Sequence, residues 1–367
     1  MAASGNPGPA AAVAPTTTSP EPTASTSAPP GATEGPIAAD PHQDDEEEID
    51  DADSALGPGD NASSTASLTE SILEYRTLHG RTFHSSRLGS DNYWGPNDER
   101  QNEAMDMYHH FMTLCLGGKL FLSPLKPDIE KVLDVGTGTG LWAIDFADEY
   151  PNCEVIGTDL SPIQPSWCPP NVKFEIDDAQ QPWTFAPNSF DFIHMRYIVG
   201  AIADYTALYK QAYTALKPGG WIESFEPEAD YRSDDGTLKP DSPLYIWRDL
   251  FADGGKKLGV SFTLITDNTI QKSLEEAGFI NITVKDMKVP IGVWPADPKL
   301  KELGQWFQCI LEQDLEGYVM FMWTKVLGRS LEEMHVFLAA FRKEIRTRSV
   351  HAYLPQRLVY AQKPETA

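Results

Sequence analysis

The chain has 367 residues, 41% of them hydrophobic, which suffices for one large buried core or two small ones. Its 54 acidic residues against 29 Lys and Arg leave a formal charge of −25, so the folded part repels phosphate backbones and direct nucleic-acid binding is disfavoured. Cys115, Cys153, Cys168 and Cys309 form no close pairs, which argues against a disulfide framework or a metal site; the lack of a signal peptide or a membrane-length apolar run predicts a cytoplasmic protein, with the nucleus also open, that touches no membrane.

Residues 1 to about 66 are rich in Ala, Pro, Ser, Thr and Gly and include the acidic run Asp44 to Asp53; the first 70 residues carry thirteen acids and neither Lys nor Arg. Such a segment buries too little apolar surface to offset chain entropy, and we expect a disordered tail, either solubilising or a docking segment for a basic partner. Order is expected from about residue 67, beginning with the amphipathic residues Leu68, Ile72, Leu73 and Tyr75. A helix follows, capped by Asn97 or Asp98, with Met105, Tyr108, Phe111, Met112 and Cys115 at helical spacing until Gly117-Gly118 stops it.

From Lys131 the pattern alternates. Residues 131–135, 154–158, 172–176, 190–194 and 220–225 read as strands, and 141–150 and 204–216 as crossover helices, which implies a parallel, doubly wound α/β sheet. Helical insertions are expected at about 242–277 and 298–348, the latter split into helices at 299–327 and 331–348, with late strands at 279–289 and 351–362.

The most informative stretch is Val132-Leu133-Asp134-Val135-Gly136-Thr137-Gly138-Thr139-Gly140-Leu141, a strand, a glycine turn and the start of a helix. Glycines there allow a tight turn and let a ligand approach the main chain. Asp159, followed by Leu160, ends the second strand, where an acid can accept both hydroxyls of a ribose. A dinucleotide reading competes. Its G-x-G-x-x-G fingerprint fails at Leu141, which stands where the third glycine belongs, and the spacing is G-x-G-x-G opened by Asp134.

In these residues the sequence resembles the class I methyltransferases. The resemblance implies that Asp134, Gly136, Thr137, Gly138 and Gly140 accommodate the methionine part of S-adenosylmethionine. Asn171 to Ala179 resembles the third-strand motif, best matched by Asp178 beside Ala179, which implies a contact to the adenine amino group. Phe190 to Arg196 and Leu216 to Glu223 resemble the fourth- and fifth-strand motifs. More narrowly, Gly80-Arg81-Thr82-Phe83-His84, Pro96-Asn97-Asp98-Glu99, Ile193-His194-Met195-Arg196, Asp234-Asp235-Gly236-Thr237-Leu238, Leu303-Gly304-Gln305-Trp306 and His351-Ala352-Tyr353 resemble the fungal LaeA-like methyltransferase family. That family includes regulators of secondary metabolism and members of biosynthetic pathways. The match spans residue 70 to the end and leaves the tail uncovered.

Methyl transfer displaces an already activated sulfonium in line, so the protein chiefly aligns donor and acceptor, a contribution of ~7 to 11 kcal/mol. His194, at the expected end of the fourth strand, is either a base orienting the acceptor or a strand-end hydrogen-bonding residue. Arg196 and Tyr197 can line the pocket, Glu223 and Glu226 flank the fifth strand end, His109 and His110 either lie at the surface or place one of the pair in the crevice, and Trp94 and Trp247 serve as core or stack on a ligand. The run Arg342 to Arg348 suits a solvated helix face or a nuclear-import patch. Two functions follow: a methyltransferase acting on a small secondary metabolite, or a LaeA-type regulator acting through partners in a nuclear protein complex. An oxidoreductase is a distant third.

Overall fold

The computed structural model describes residues 1–2, 35–41, 74–85 and 93–366, so most of the stretch expected to be a disordered tail lies outside the described residues. A short hairpin of β1 (Arg76–Leu78) and β2 (Arg81–Phe83) precedes α1 (Glu99–Cys115), whose first turn is capped by the Asp98 carboxylate accepting from the Gln101 amide. The alternating part then runs β3 (Lys131–Val135), α2 (Leu141–Glu149), β4 (Glu154–Asp159), β5 (Val172–Ile176), β6 (Phe190–Arg196), α3 (Tyr205–Ala215) and β7 (Leu216–Pro227). After α4 (Pro243–Leu258) and α5 (Thr269–Ala277) come β8 (Ile280–Pro290), α6 (Pro298–Gln313), α7 (Leu315–Met320), a π-helical turn at Phe321–Val326, α8 (Leu331–Arg346) and β9 (Tyr353–Gln362).

The main sheet has seven strands in the order β5-β4-β3-β6-β7-β9-β8. Its first five are parallel, and β9 runs antiparallel between β7 and β8. This is the class I methyltransferase arrangement of a mostly parallel sheet with helices on both faces. Central strands buried on both sides read as continuous apolar runs, and Val132, Leu133, Phe192 and Ile193 are fully enclosed. The sheet order reverses at β3, and the exits of β3 and β4 open onto a crevice there, the topological position where open α/β sheets bind ligands.

The helix expected over 299–327 is broken at Asp314, whose φ of −143° cannot continue it. That residue instead caps α7 and serves an ion-pair clamp. The Arg81 guanidinium donates to both oxygens of Asp98 (2.6 and 2.6 Å) and both of Asp314 (2.7 and 2.6 Å), with Arg100 3.3 Å from Asp314. The clamp joins the hairpin to the start of α1 and to the insertion, and α1 in turn packs along α6.

Within the expected tail, residues 35–41 depart from expectation by packing on the domain. Asp40 donates its amide to the Trp294 carbonyl and Ala38 accepts from the Ala296 amide, both at 2.9 Å, in a one-residue antiparallel bridge. Lys301 pairs with Asp40 at 2.7 Å, Lys288 donates to the Gly35 carbonyl at 3.1 Å, and Ile37 packs on the main core. No helix among the described residues is long and apolar enough to cross a membrane.

Candidate active site

The glycine turn is built from its own strand ends. Gly136 and Thr137 both donate their amides to the Thr158 carbonyl at 2.9 Å, stitching the turn to β4, and the Thr137 hydroxyl donates to Asp134 at 2.6 Å. Gly138 donates its amide to Asp159 at 2.8 Å, and Ser161 donates to the other carboxylate oxygen at 3.0 Å. Gly136, Gly138 and Gly140 sit at φ of 72°, 58° and 84°, a region that favours residues without a Cβ. Their surroundings differ. A Cβ on Gly136 would stand 2.7 Å from Ile198 and one on Gly140 2.5 Å from the Phe174 ring, whereas one on Gly138 would meet only the Met105 sulfur at 3.5 Å.

A cavity of about 140 Å³, measured as the space open to the centre of a water molecule, lies over this turn. Asp134, Gly136, Thr137, Gly138, Asp159, Leu160, Asp178 and Ala179 all line it. Gly140 does not; its missing side chain makes room for Phe174 and starts α2. Burial pushes the Asp159 carboxyl up to about 6, against the pull of the Ser161 and Gly138 amides. Asp178 accepts from the Gln180 amide at 3.0 Å.

His194 lies behind the crevice wall. It is 2% exposed, its ring stacks on Trp142 at 3.7 Å and 4°, and its Nδ1 meets Asp134 at 2.7 Å. Burial drives the imidazole below its ordinary pKa despite Asp134, so the ring is neutral near pH 7 with the proton on Nδ1. Of its two readings, this geometry favours the hydrogen-bonding one: it fixes the acid that opens the turn. Glu223 and Glu226 also stay out of the cavity. Glu223 accepts from the Leu122 and Ser123 amides (2.9 and 2.8 Å), and Glu226 from those of Ile198 and Val199 (3.3 and 2.9 Å). Burial lifts them to about 7 and about 8.

The far wall comes from α1 and the loop before it. Of the two histidines, either of which the sequence allows to face the crevice, His109 is 8% exposed and lines the cavity, whereas His110 is exposed beside Trp306. Arginine only donates, so His109 Nδ1 accepts from Arg196 at 2.9 Å and its Nε2–H donates to Asp145 at 2.9 Å. Tyr93, Asn97, Gln101 and Met105 line the same wall. The buried side-chain oxygens of Asn97 and Gln101 accept no hydrogen bond among the described residues. Sequence reading missed these residues as site residues. The available signal was the spacing of Asn97, Gln101, Met105, Tyr108 and His109, a helical stripe that mixes polar with apolar side chains where a core face would be purely apolar.

A family model described as a methyltransferase domain matches residues 108–284. Among similar proteins, methyltransferase pytC of Aspergillus terreus is 40% identical over 306 residues, covering 83% of this chain and 93% of that protein. The secondary metabolism regulator LAE1 of Cochliobolus heterostrophus is 37% identical over 293 residues, covering 78% and 94%. The protein-methionine methyltransferase laeA of Emericella nidulans is 30% identical over 296 residues, covering 79% and 77%. With the glycine turn, the acids and the crevice in register, this chain belongs to the fungal LaeA-like family of class I, S-adenosylmethionine-dependent methyltransferases.

Proposed function

We propose that the chain methylates a small-molecule acceptor, with the crevice over the glycine turn as the cofactor site. The observation that carries this is the convergence of the turn, Asp159 and Asp178, from three different strand ends, on one cavity. The residues present fit the cofactor. The bare main chain at Gly136 and Gly138 would border its methionine part, and the unpartnered oxygens of Asn97 and Gln101 are acceptors that an ammonium would satisfy. Asp159 would take the ribose hydroxyls and Asp178 the adenine amino group. When bound, S-adenosylmethionine supplies an activated methyl group, so the chain needs no nucleophile of its own. Asp134, held by His194 and Thr137, keeps the turn in place; Arg196, His109 and Asp145 brace the opposite wall.

Asp159→Ala removes a charge-assisted acceptor, and calorimetric titration should find S-adenosylmethionine binding weakened by roughly one to two decades. An unchanged dissociation constant would take Asp159 out of the site. The regulator reading has its own support in the similarity to LAE1 and laeA. Incubating the protein with isotopically labelled S-adenosylmethionine and a fungal extract separates the two: label in the small-molecule fraction supports the proposal, and label confined to protein supports the regulator.

A further inference from the structure

A second cavity lies against the first, and the two share Trp94, Tyr108 and Tyr197 as a common wall. It offers about 50 Å³ to the centre of a water molecule. Close-packed interiors leave few voids of that size, so simple core packing does not account for it. We infer that this chamber binds the methyl acceptor and that the acceptor is a neutral, planar aromatic molecule with a polar substituent; the inference rests on the cofactor reading of the neighbouring crevice.

Three observations set the ligand's chemistry. The chamber's walls are rings: Trp247 and Phe251 stand 5.0 Å apart, Phe251 and Phe262 4.9 Å, and Trp94 meets both phenylalanines edge-on. Such walls favour a flat π-system, which pairs with them by offset stacking and edge contacts. Among the described residues of the lining the one charged side chain, Glu228, is fully buried and held by Arg232 at 2.7 Å and the Thr266 amide at 3.2 Å, so it is not an unpaired charge that would attract an ion. Tyr231 lines the chamber and is 1% exposed, and burial holds its hydroxyl protonated, above the ordinary tyrosine range. A protonated hydroxyl in the lining can donate to a ligand's polar group.

The shared wall is also held in an unusual form. Tyr197 adopts φ 58°, a strained value for a residue with a Cβ, and packs its ring 4.4 Å from that of Tyr108. The buried Glu226 fixes the next two amides, so the partition between the chambers is set rather than slack.

The probe for the test is 2-naphthol, titrated by fluorescence into the full chain with and without saturating S-adenosylhomocysteine. Binding is expected in both conditions. Ala229→Phe adds a ring to the chamber lining without removing any packing; it should weaken 2-naphthol at least about tenfold and leave S-adenosylhomocysteine within about twofold. Tyr231→Phe should weaken 2-naphthol about three- to tenfold while naphthalene binds as before. The inference is overturned if 2-naphthol fails to bind the wild-type chain, if Ala229→Phe leaves its affinity unchanged while folding normally, or if S-adenosylhomocysteine displaces it one for one. Failure of S-adenosylhomocysteine itself to bind would count against the cofactor reading alone, because the naphthol titrations still report on the chamber.

Discussion

The crevice and the aromatic chamber share one wall but are made of different material. Around the glycine turn the recognising groups are main-chain amides and short carboxylates, fixed by the register of β3 against β4. The chamber is made of side chains from the β7–α4 connection, α4, the loop after it and the insertion helices. A main-chain site changes only if the strands move, whereas a side-chain site changes with each substitution. The first arrangement therefore suits a ligand common to a family, and the second an acceptor that differs among its members.

The sharpest way to break that contrast is to remove what both regions share. Arg81→Ala leaves Asp98 without its cation and the fully buried Asp314 with only Arg100, at 3.3 Å, and breaking a buried pair in this way costs up to about 3 to 5 kcal/mol. Because α1 carries Gln101 and Met105 toward the crevice and Tyr108 toward both cavities, S-adenosylhomocysteine and 2-naphthol should both weaken together with a marked drop in the unfolding midpoint. A variant that loses only one ligand would mean that the two regions are braced separately.

Gly138→Val tests the crevice alone. A branched side chain at φ 58° is strained by ~1–3 kcal/mol, and its atoms enter space that the structure leaves open except for Met105. S-adenosylmethionine binding should vanish, with the circular dichroism spectrum and 2-naphthol affinity retained. Normal cofactor binding by the folded variant would defeat the crevice assignment.

A pH series addresses the groups beneath both regions. Asp159, Glu223 and Glu226 are lifted to about 6, 7 and 8 by burial, while in the unfolded chain they ionise at ordinary carboxylate values. Between roughly pH 4 and pH 8 the folded state thus holds more protons than the unfolded one. Stability should fall as pH rises through that window, by at most ~1.4 kcal/mol per pH unit for each proton held. A urea midpoint that climbs from pH 5 to pH 8 would contradict these environments.

The smallest effect belongs to a part remote from both sites. A chain starting at Leu68 loses the bridge to Trp294 and Ala296, the Asp40 ion pair and the packing of Ile37, and its stability should drop by about 1 to 2 kcal/mol. One starting at Gly35 should keep the full midpoint, and both should bind S-adenosylmethionine normally. Equal midpoints would show that the docked segment contributes nothing.

What could be read from the residues in advance follows the same division. Gly136, Gly138, Asp159 and Asp178 announce themselves because strand, turn and acid are local patterns that one window of sequence contains. The burial of His109 depends on Asp145 and Arg196, brought to it only by the fold, and its place on a helical stripe of mixed polar and apolar residues is the one local hint. The break at Asp314 arises from Arg81, more than two hundred positions away, which overrides an otherwise uninterrupted helical pattern. Residues 35–41 likewise depend on Trp294, Lys288 and Lys301, while their own composition indicates only disorder.

That docked segment has a further consequence, in effective concentration. Residues 35–41 are joined through 42–73 to the domain that binds them, so their pairing with Trp294–Ala296 is an intramolecular event, for which local concentrations reach the millimolar range. A contact too weak to hold a free peptide can therefore stay occupied, and a competing strand from another protein must match that concentration to displace it. The acidic run from Asp44 onward begins just past the anchor in the sequence.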